Sequence, residues 1–198
     1  MHAFTFSLPT QIVFGPGTET ETGKLIAGQG GHRVLVVYGG QSAVRSGLIA
    51  KVQASLTQAG LEQDTFGGIH PNPRLFQVRE GVEKAKAMNA DFILAVGGGS
   101  VIDASKAIAL GVANPEADLW DFWLRKQPVE RTLPVGTVLT ISAAGSETSD
   151  SAVLTRDDTL EKRGLSSQLF QYFSSQLIGL RLDRGYRSPR RAGGDQRG

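Results

Sequence analysis

Three consecutive glycines between a short apolar run and a long small-residue segment limit the folds open to this chain more than any other feature. In Phe92-Ile-Leu-Ala-Val-Gly97-Gly98-Gly99-Ser100-Val-Ile-Asp103-Ala-Ser-Lys106 the apolar run has strand length. The residues after it read as a helix through Ala113. A glycine turn between a buried strand and a helix is the joint of a parallel α/β unit. It lets backbone approach an anion closely, and the first N–H groups of the helix, with its dipole, then favour phosphate. The same residues also fit a plain tight turn in which Ser100 and Asp103 form a capping box, and the two readings are compatible.

The rest of the chain repeats this grammar to about residue 170. Val34-Leu-Val-Val-Tyr38 is a β-branched run suited to a strand buried on both faces, closed by Gly39-Gly40. Ser46 to Ala59 reads as a helix with Ser46 as cap, Leu48, Ile49, Val52 and Leu56 on one face, and Gly60 as stop. A strand at Glu62–Phe66 follows, and Asn72-Pro73 has the form of an N-cap and first helical residue, with Val78, Val82 and Ala85 as the buried stripe. Further strands are expected at Asp91–Val96 and Val135–Ile141. Phe4–Ser7 and Gln11–Phe14 look like a strand pair ending at Gly15-Pro16-Gly17. The fold expected is α/β: a Rossmann-like parallel sheet with helices on both faces.

Composition removes several classes of function. The 198 residues include no cysteine, which excludes disulfides, zinc–thiolate sites and a thiol nucleophile, and fits a reducing compartment. No apolar run approaches the roughly 18 residues a membrane span needs, and the first nine residues lack the basic and apolar regions of a signal peptide. The expected location is the cytoplasm, with no membrane partner. The net charge of +2 is uneven: residues 171–198 hold six Arg and two Asp, and residues 1–170 hold 15 basic and 17 acidic groups. The body therefore offers no electrostatic footprint for nucleic acid.

Motifs narrow the chemistry further. No G-x-G-x-x-G follows the first parallel strand, Gly17–Lys24 has one residue too many for a P-loop, and there is no G-x-S-x-G nucleophile elbow. His2, His32 and His70 stand alone, without metal-ligand spacing. Gly39-Gly40-Gln41-Ser42 lies where a nucleotide ribose often rests. An acidic residue there would repel a 2′-phosphate, whereas two glycines and a hydroxyl leave it room and a donor. A glycine turn with a solvated serine fits these residues equally well.

Taken in order, Phe14-Gly-Pro-Gly17, Val36-Val-Tyr-Gly-Gly-Gln-Ser42, Pro71-Asn-Pro73, Gly97-Gly-Gly-Ser-Val-Ile-Asp-Ala-Ser-Lys106, Gly145-Ser-Glu147 and Lys162-Arg-Gly164 resemble the iron-containing, or group III, alcohol dehydrogenases. The likeness is greatest to the NADP-using butanol dehydrogenase branch and covers about residues 3–170. It implies a dinucleotide-binding domain over residues 1–170 and hydride transfer between NADP(H), with NAD as the alternative, and a primary alcohol or aldehyde. Gly97, Gly98, Gly99 and Ser100 would wrap the pyrophosphate, with Asp103 supporting the loop or the nicotinamide ribose. Gly39, Gly40 and Ser42 would receive the adenosine ribose and its 2′-phosphate, with Asn72 beside the adenosine half. Thr140 would face the cofactor, and Lys162 would reach the nicotinamide ribose. Glycerol dehydrogenases and dehydroquinate synthases share the glycine turn. A glycerol dehydrogenase-like activity is thus the sister reading, though Gly145-Ser-Glu and Lys162-Arg-Gly fit the alcohol branch better.

The sequence departs from the family pattern in three places. Ala144 replaces the usual threonine, which removes a phosphate hydrogen bond worth roughly 0.5–1.5 kcal/mol, and Ser149 stands where the branch often has asparagine. The family's all-helical domain, with one aspartate and three histidines for a divalent iron or zinc, is expected to be missing, since no histidine follows His70 in these 198 residues. After Phe170 the chain turns Arg/Gly-rich. Residues 171–198 are expected to be an aberrant, disordered tail, arising from a reading-frame change near residue 170. The chain alone is then expected to bind cofactor without turnover, and its uncovered apolar surface would favour aggregation or a homodimer.

Overall fold

Val34, Leu35, Val36 and Val37 have no exposed surface, and a β-branched run buried on both faces belongs at the centre of a parallel sheet. The computed structural model, which describes residues 10–142 and 144–172, has it there. Strand β1 (Arg33–Tyr38) lies between β2 (Glu62–Phe66) and β3 (Phe92–Gly97), and β3 pairs with β4 (Val135–Leu139). Every pairing is parallel, in the order β2-β1-β3-β4. Asp91 ties the sheet's entry edge by accepting from the amides of His32 and Arg33 at 2.9 and 2.8 Å.

The two-residue period of the strands sorts their side chains into two cores. Leu35, Val37, Ile93, Ala95, Val135 and Leu139 face α4 (Leu75–Ala87), α5 (Gly99–Ala113) and α6 (Leu119–Trp123). Val34, Val36, Phe92, Leu94, Val96 and Val138 face α1 (Thr22–Gly28) and α3 (Leu48–Gln58). The connection β1–α3–β2 runs one way along the sheet on one face. The connection β3–α5–β4 runs the other way on the opposite face, so the strand order reverses between β1 and β3. Their carboxyl ends lie side by side, with Tyr38 paired to Val96. Open α/β sheets bind ligands at such a crevice.

Beside the sheet stands an antiparallel hairpin, β5 (Ser151–Thr155) and β6 (Lys162–Ser166), followed by the short α7 (Leu169–Tyr172). Ala152, Leu154 and Leu165 join the α5-side core, and the Thr155 amide donates to the Pro73 carbonyl at 2.9 Å.

Several expected boundaries shift for identifiable reasons. Ser46 does not cap a helix: Gly47 at φ +74° separates a short α2 (Ser42–Arg45) from α3, and the Ser46 hydroxyl donates back to the Ala43 carbonyl. Asn72 is not an N-cap either. It sits at φ +56°, α4 begins at Leu75, and a first-turn amide, Phe76 N, is met instead by Asp157 from the hairpin turn at 2.9 Å. The capping box of Ser100 and Asp103 is absent, because the helix starts two residues earlier and its N-cap is Gly98, which has no side chain to offer. Gln11–Phe14 belongs to no strand. Phe4–Ser7, and the tail from residue 173 onward, lie outside the described residues.

Candidate functional site

The glycine turn sits where the sheet reverses. A cleft of about 590 Å³ is lined by Gly39, Gly40 and Ser42 after β1, by residues 68–71 after β2, by residues 96–101 at the end of β3, and by Thr140 and Ile141 after β4. Eight of the eleven expected site residues, Thr140 among them, therefore come together in one cleft. Among the described residues no carboxylate lines it.

The glycines are of two kinds. A Cβ on Gly97 would lie 2.6 Å from Val101 Cγ2, so the backbone there is packed too closely for a side chain. A Cβ on Gly40 would meet nothing within 4 Å, and one on Gly99 would meet only Ser146 Cβ at 3.8 Å. No protein atom demands glycine at those two positions, and a side chain there would take space in the cleft. α5 also opens without a side-chain cap, and the first four amides of a helix have no partners within it. Space, amides and a fifteen-residue helix dipole make a cradle for an anion at Gly98–Ser100. These features fit a dinucleotide.

Asn72 links two sides of the cleft mouth. Its amide donates to Ser100 Oγ at 3.3 Å, and its side-chain carbonyl accepts from Lys162 Nζ at 2.7 Å. Asn72 and Lys162, given to opposite halves of the cofactor by the family resemblance, thus touch each other. Thr140 is partly exposed at the end of β4, and its amide donates to the Gly97 carbonyl at 3.0 Å.

Asp103 is turned to the loop. Its carboxylate accepts from the Ser146 hydroxyl at 2.5 Å and from the Val153 amide at 3.2 Å. Burial pushes its carboxyl above the usual aspartate range, opposed by those two bonds and by Lys106 and Lys162. Lys106, three residues on, has no exposed surface, and its ammonium donates to the carbonyls of Ser146, Ser149 and Ser151. Burial lowers it to about 8, against the pull of Asp103, Asp150 and Glu147.

Ser146 and the contacts of Lys106 were not anticipated. A single lysine in the apolar run of α5 is a visible signal, but its acceptors lie 40 to 45 residues downstream. His32 and His70 are exposed. A divalent metal finds no ligand set here, since among the described residues no three His, Cys, Asp or Glu side chains converge.

Comparison with known proteins agrees with this geometry. The family model for iron-containing alcohol dehydrogenase matches residues 9–173. A probable NADH-dependent butanol dehydrogenase of Bacillus subtilis is 46% identical over 175 residues, covering 88% of this chain and 45% of the relative. The NADPH-dependent aldehyde reductase YqhD of Escherichia coli is 36% identical over 169 residues, 84% of this chain and 43% of that enzyme. The crystal structure of NADH-dependent butanol dehydrogenase A from Thermotoga maritima matches with a TM-score of 0.85 at 42% identity, over 90% of this chain and 44% of its own. The chain spans about half the length of the curated relatives it matches. With the parallel sheet, the glycine turn and a match over residues 9–173, the chain belongs to the iron-containing alcohol dehydrogenase family.

Proposed function

We propose that this chain forms the nicotinamide-dinucleotide site of an oxidoreductase acting on primary alcohols and aldehydes. One observation carries the reading: the cleft at the reversal of strand order is floored by glycine backbone and by the uncapped start of α5. Bound there, the nicotinamide supplies hydride transfer. The chain's own residues do the holding. The amides of Gly97, Gly98, Gly99 and Ser100 take the pyrophosphate. Gly39, Gly40 and Ser42 take the adenosine ribose, Asn72 and Lys162 hold the cofactor from the mouth, and Thr140 faces it from the end of β4. Asp103 acts on the loop rather than on the ligand, which its bonds to Ser146 and Val153 support.

NADP(H) is the preferred cofactor. Among the described residues the cleft lining has no carboxylate to repel a 2′-phosphate, and Gly40 leaves open space next to Ser42. NAD(H) is the second choice, since nothing in the lining rejects a 2′-hydroxyl. The names of the relatives divide between NADH and NADPH. Those same names, butanol dehydrogenase and aldehyde reductase, support a small primary alcohol or aldehyde as substrate. The iron or zinc that the family resemblance implies has no ligand set among the described residues, so no step is drawn through it. On this reading the isolated chain binds cofactor and turns over no substrate. Its place is the cytoplasm, in keeping with a chain without cysteine.

Titrating the chain with NADPH and NADH while following reduced-nicotinamide fluorescence tests the reading. Saturable binding of NADPH, tighter than NADH, with no NADPH consumed on adding butanal, is the expected result. Absence of binding to either cofactor would overturn the site. Steady NADPH oxidation by the isolated chain would overturn binding without turnover.

A further inference from the structure

Lys106 is a charged side chain with no exposed surface, midway along the apolar helix α5. Its ammonium donates to Ser146 at 2.7 Å, Ser149 at 2.8 Å and Ser151 at 2.9 Å. All three protons of the ammonium are thereby used, and all three acceptors are backbone carbonyls in one stretch, the end of the loop after β4 and the first residue of β5. Carbonyls of an irregular loop that turn inward need a donor in place of water. One helical turn earlier, Asp103 takes the Ser146 hydroxyl and the Val153 amide. The charged groups around the ammonium are Asp103 on its own helix and Glu147 and Asp150 on the loop. From α7 comes the Phe170 ring, 6.0 Å away. The helix that clamps this segment is the one whose first turn floors the cleft.

We propose that Lys106 is a positioning residue for the dinucleotide site: its ammonium fixes residues 144–150 against α5 and so holds Ser146, whose Cβ lies 3.8 Å from where a Cβ on Gly99 would stand, beside the glycine turn. The proposal rests on the dinucleotide reading given above. A compact ammonium suits the place because it offers three donors to three converging carbonyls from a stem that packs like an apolar chain. Methionine would fill much the same volume and offer the loop no donor. Replacing a buried ion by an apolar group often leaves stability intact or improved. Stability and loop order therefore separate on substitution.

Cleavage by a glutamyl endopeptidase after Glu147, identified from fragment masses, reads the loop without any cofactor. In Lys106→Met the unfolding temperature stays within a few degrees of the native chain. Cleavage after Glu147 accelerates at least about tenfold and NADPH affinity falls about tenfold, the scale of one lost charged hydrogen bond. The chain has no cysteine, so Lys106→Cys can be alkylated at that position alone, in denaturant before refolding. 2-Bromoethylamine restores an ammonium at the reach of lysine, and 1-bromopropane supplies an uncharged chain of the same length. The aminoethyl form regains native protection and affinity, and the propyl form does not. Native-rate cleavage of Lys106→Met or of the propyl form, or equal cleavage of the two alkylated forms, would overturn the proposal. Faster cleavage with unchanged NADPH affinity would overturn the positioning role. If the native chain bound no NADPH, the cofactor reading would fail instead, and the cleavage series would still decide whether the ammonium holds the loop.

Discussion

The four-stranded sheet and the hairpin beside it are held by different forces. β1 and β3 are buried from end to end or nearly so, and their side chains fill two apolar cores. The hairpin buries Ala152, Leu154 and Leu165, but four of the five residues of β6 are exposed. Besides those three side chains, its ties to the sheet domain include a set of polar ones: Asp103 to Val153, Lys106 to Ser151, Thr155 to Pro73, Asp157 to Phe76 and Lys162 to Asn72. Apolar burial is non-directional and sets how strongly parts cohere. Hydrogen bonds demand angles and distances, and so set where parts sit. The cleft has a floor made stable by the first force, and the hairpin beside it is located by the second.

Substitutions can break that contrast, the largest at the sheet. Leu94→Ala should cost about 2–5 kcal/mol in urea unfolding, because Leu94 is fully buried in β3. A cost under half of that range would mean that the sheet is not the cohesive half. Next comes the buried ammonium. Lys106 in the folded chain loses its proton near pH 8, against about 10.5 for an ordinary lysine. Between those values the unfolded chain binds more protons, so stability rises with pH, by up to about 3 kcal/mol. Lys106→Met should flatten this rise in chemical unfolding run from pH 7 to 10.5. Persistence of the full rise would show that the ammonium is not the buried charge responsible.

Two smaller changes address the cleft itself. Gly40→Asp fills open space with a carboxylate, so NADPH affinity should fall about tenfold with NADH little changed, a Coulombic penalty of the order expected near a protein surface. Equal losses for both cofactors would argue against a 2′-phosphate at this point. Ser146→Ala removes the hydroxyl that meets Asp103 and should cost about 1 kcal/mol, seen as a small drop in unfolding temperature. The Asp103 carboxyl is already raised by burial, so its contribution favours the folded chain in acid and declines as pH rises above the usual aspartate range. The loss of Ser146 should steepen that decline.

The sheet was legible because its signals are local. A β-branched run, a glycine stop and helical periods with apolar stripes place β1, β2, β3 and α5 to within a residue or two, and Glu62–Phe66 coincides with β2. The glycine turn announced the cleft for the same reason. What escaped was non-local. Asn72-Pro73 has the form of a helix start, yet the first turn of α4 is met by Asp157, 81 residues from Phe76. β6, Lys162-Arg-Gly-Leu-Ser166, has no two-residue alternation of its own and exists through its pairing with β5. Lys106 stood out as a lone charge in an apolar helix, but nothing in its neighbourhood names three serine carbonyls as its partners. Short α6 could have been seen, since Asp118 caps it by accepting from the Trp120 amide at 2.8 Å.

The central claim, that the cleft between β1 and β3 holds a nicotinamide dinucleotide on glycine backbone, is tested most directly by mapping backbone amide shifts in the ¹⁵N-labelled chain during titration with NADPH. The account predicts that Gly98, Gly99 and Ser100 shift most, with Gly39, Gly40, Ser42 and Asn72 moving along the same binding curve, and that Gly99→Val abolishes the response. Shifts confined to other surfaces, or none at saturating NADPH and NADH, would contradict it.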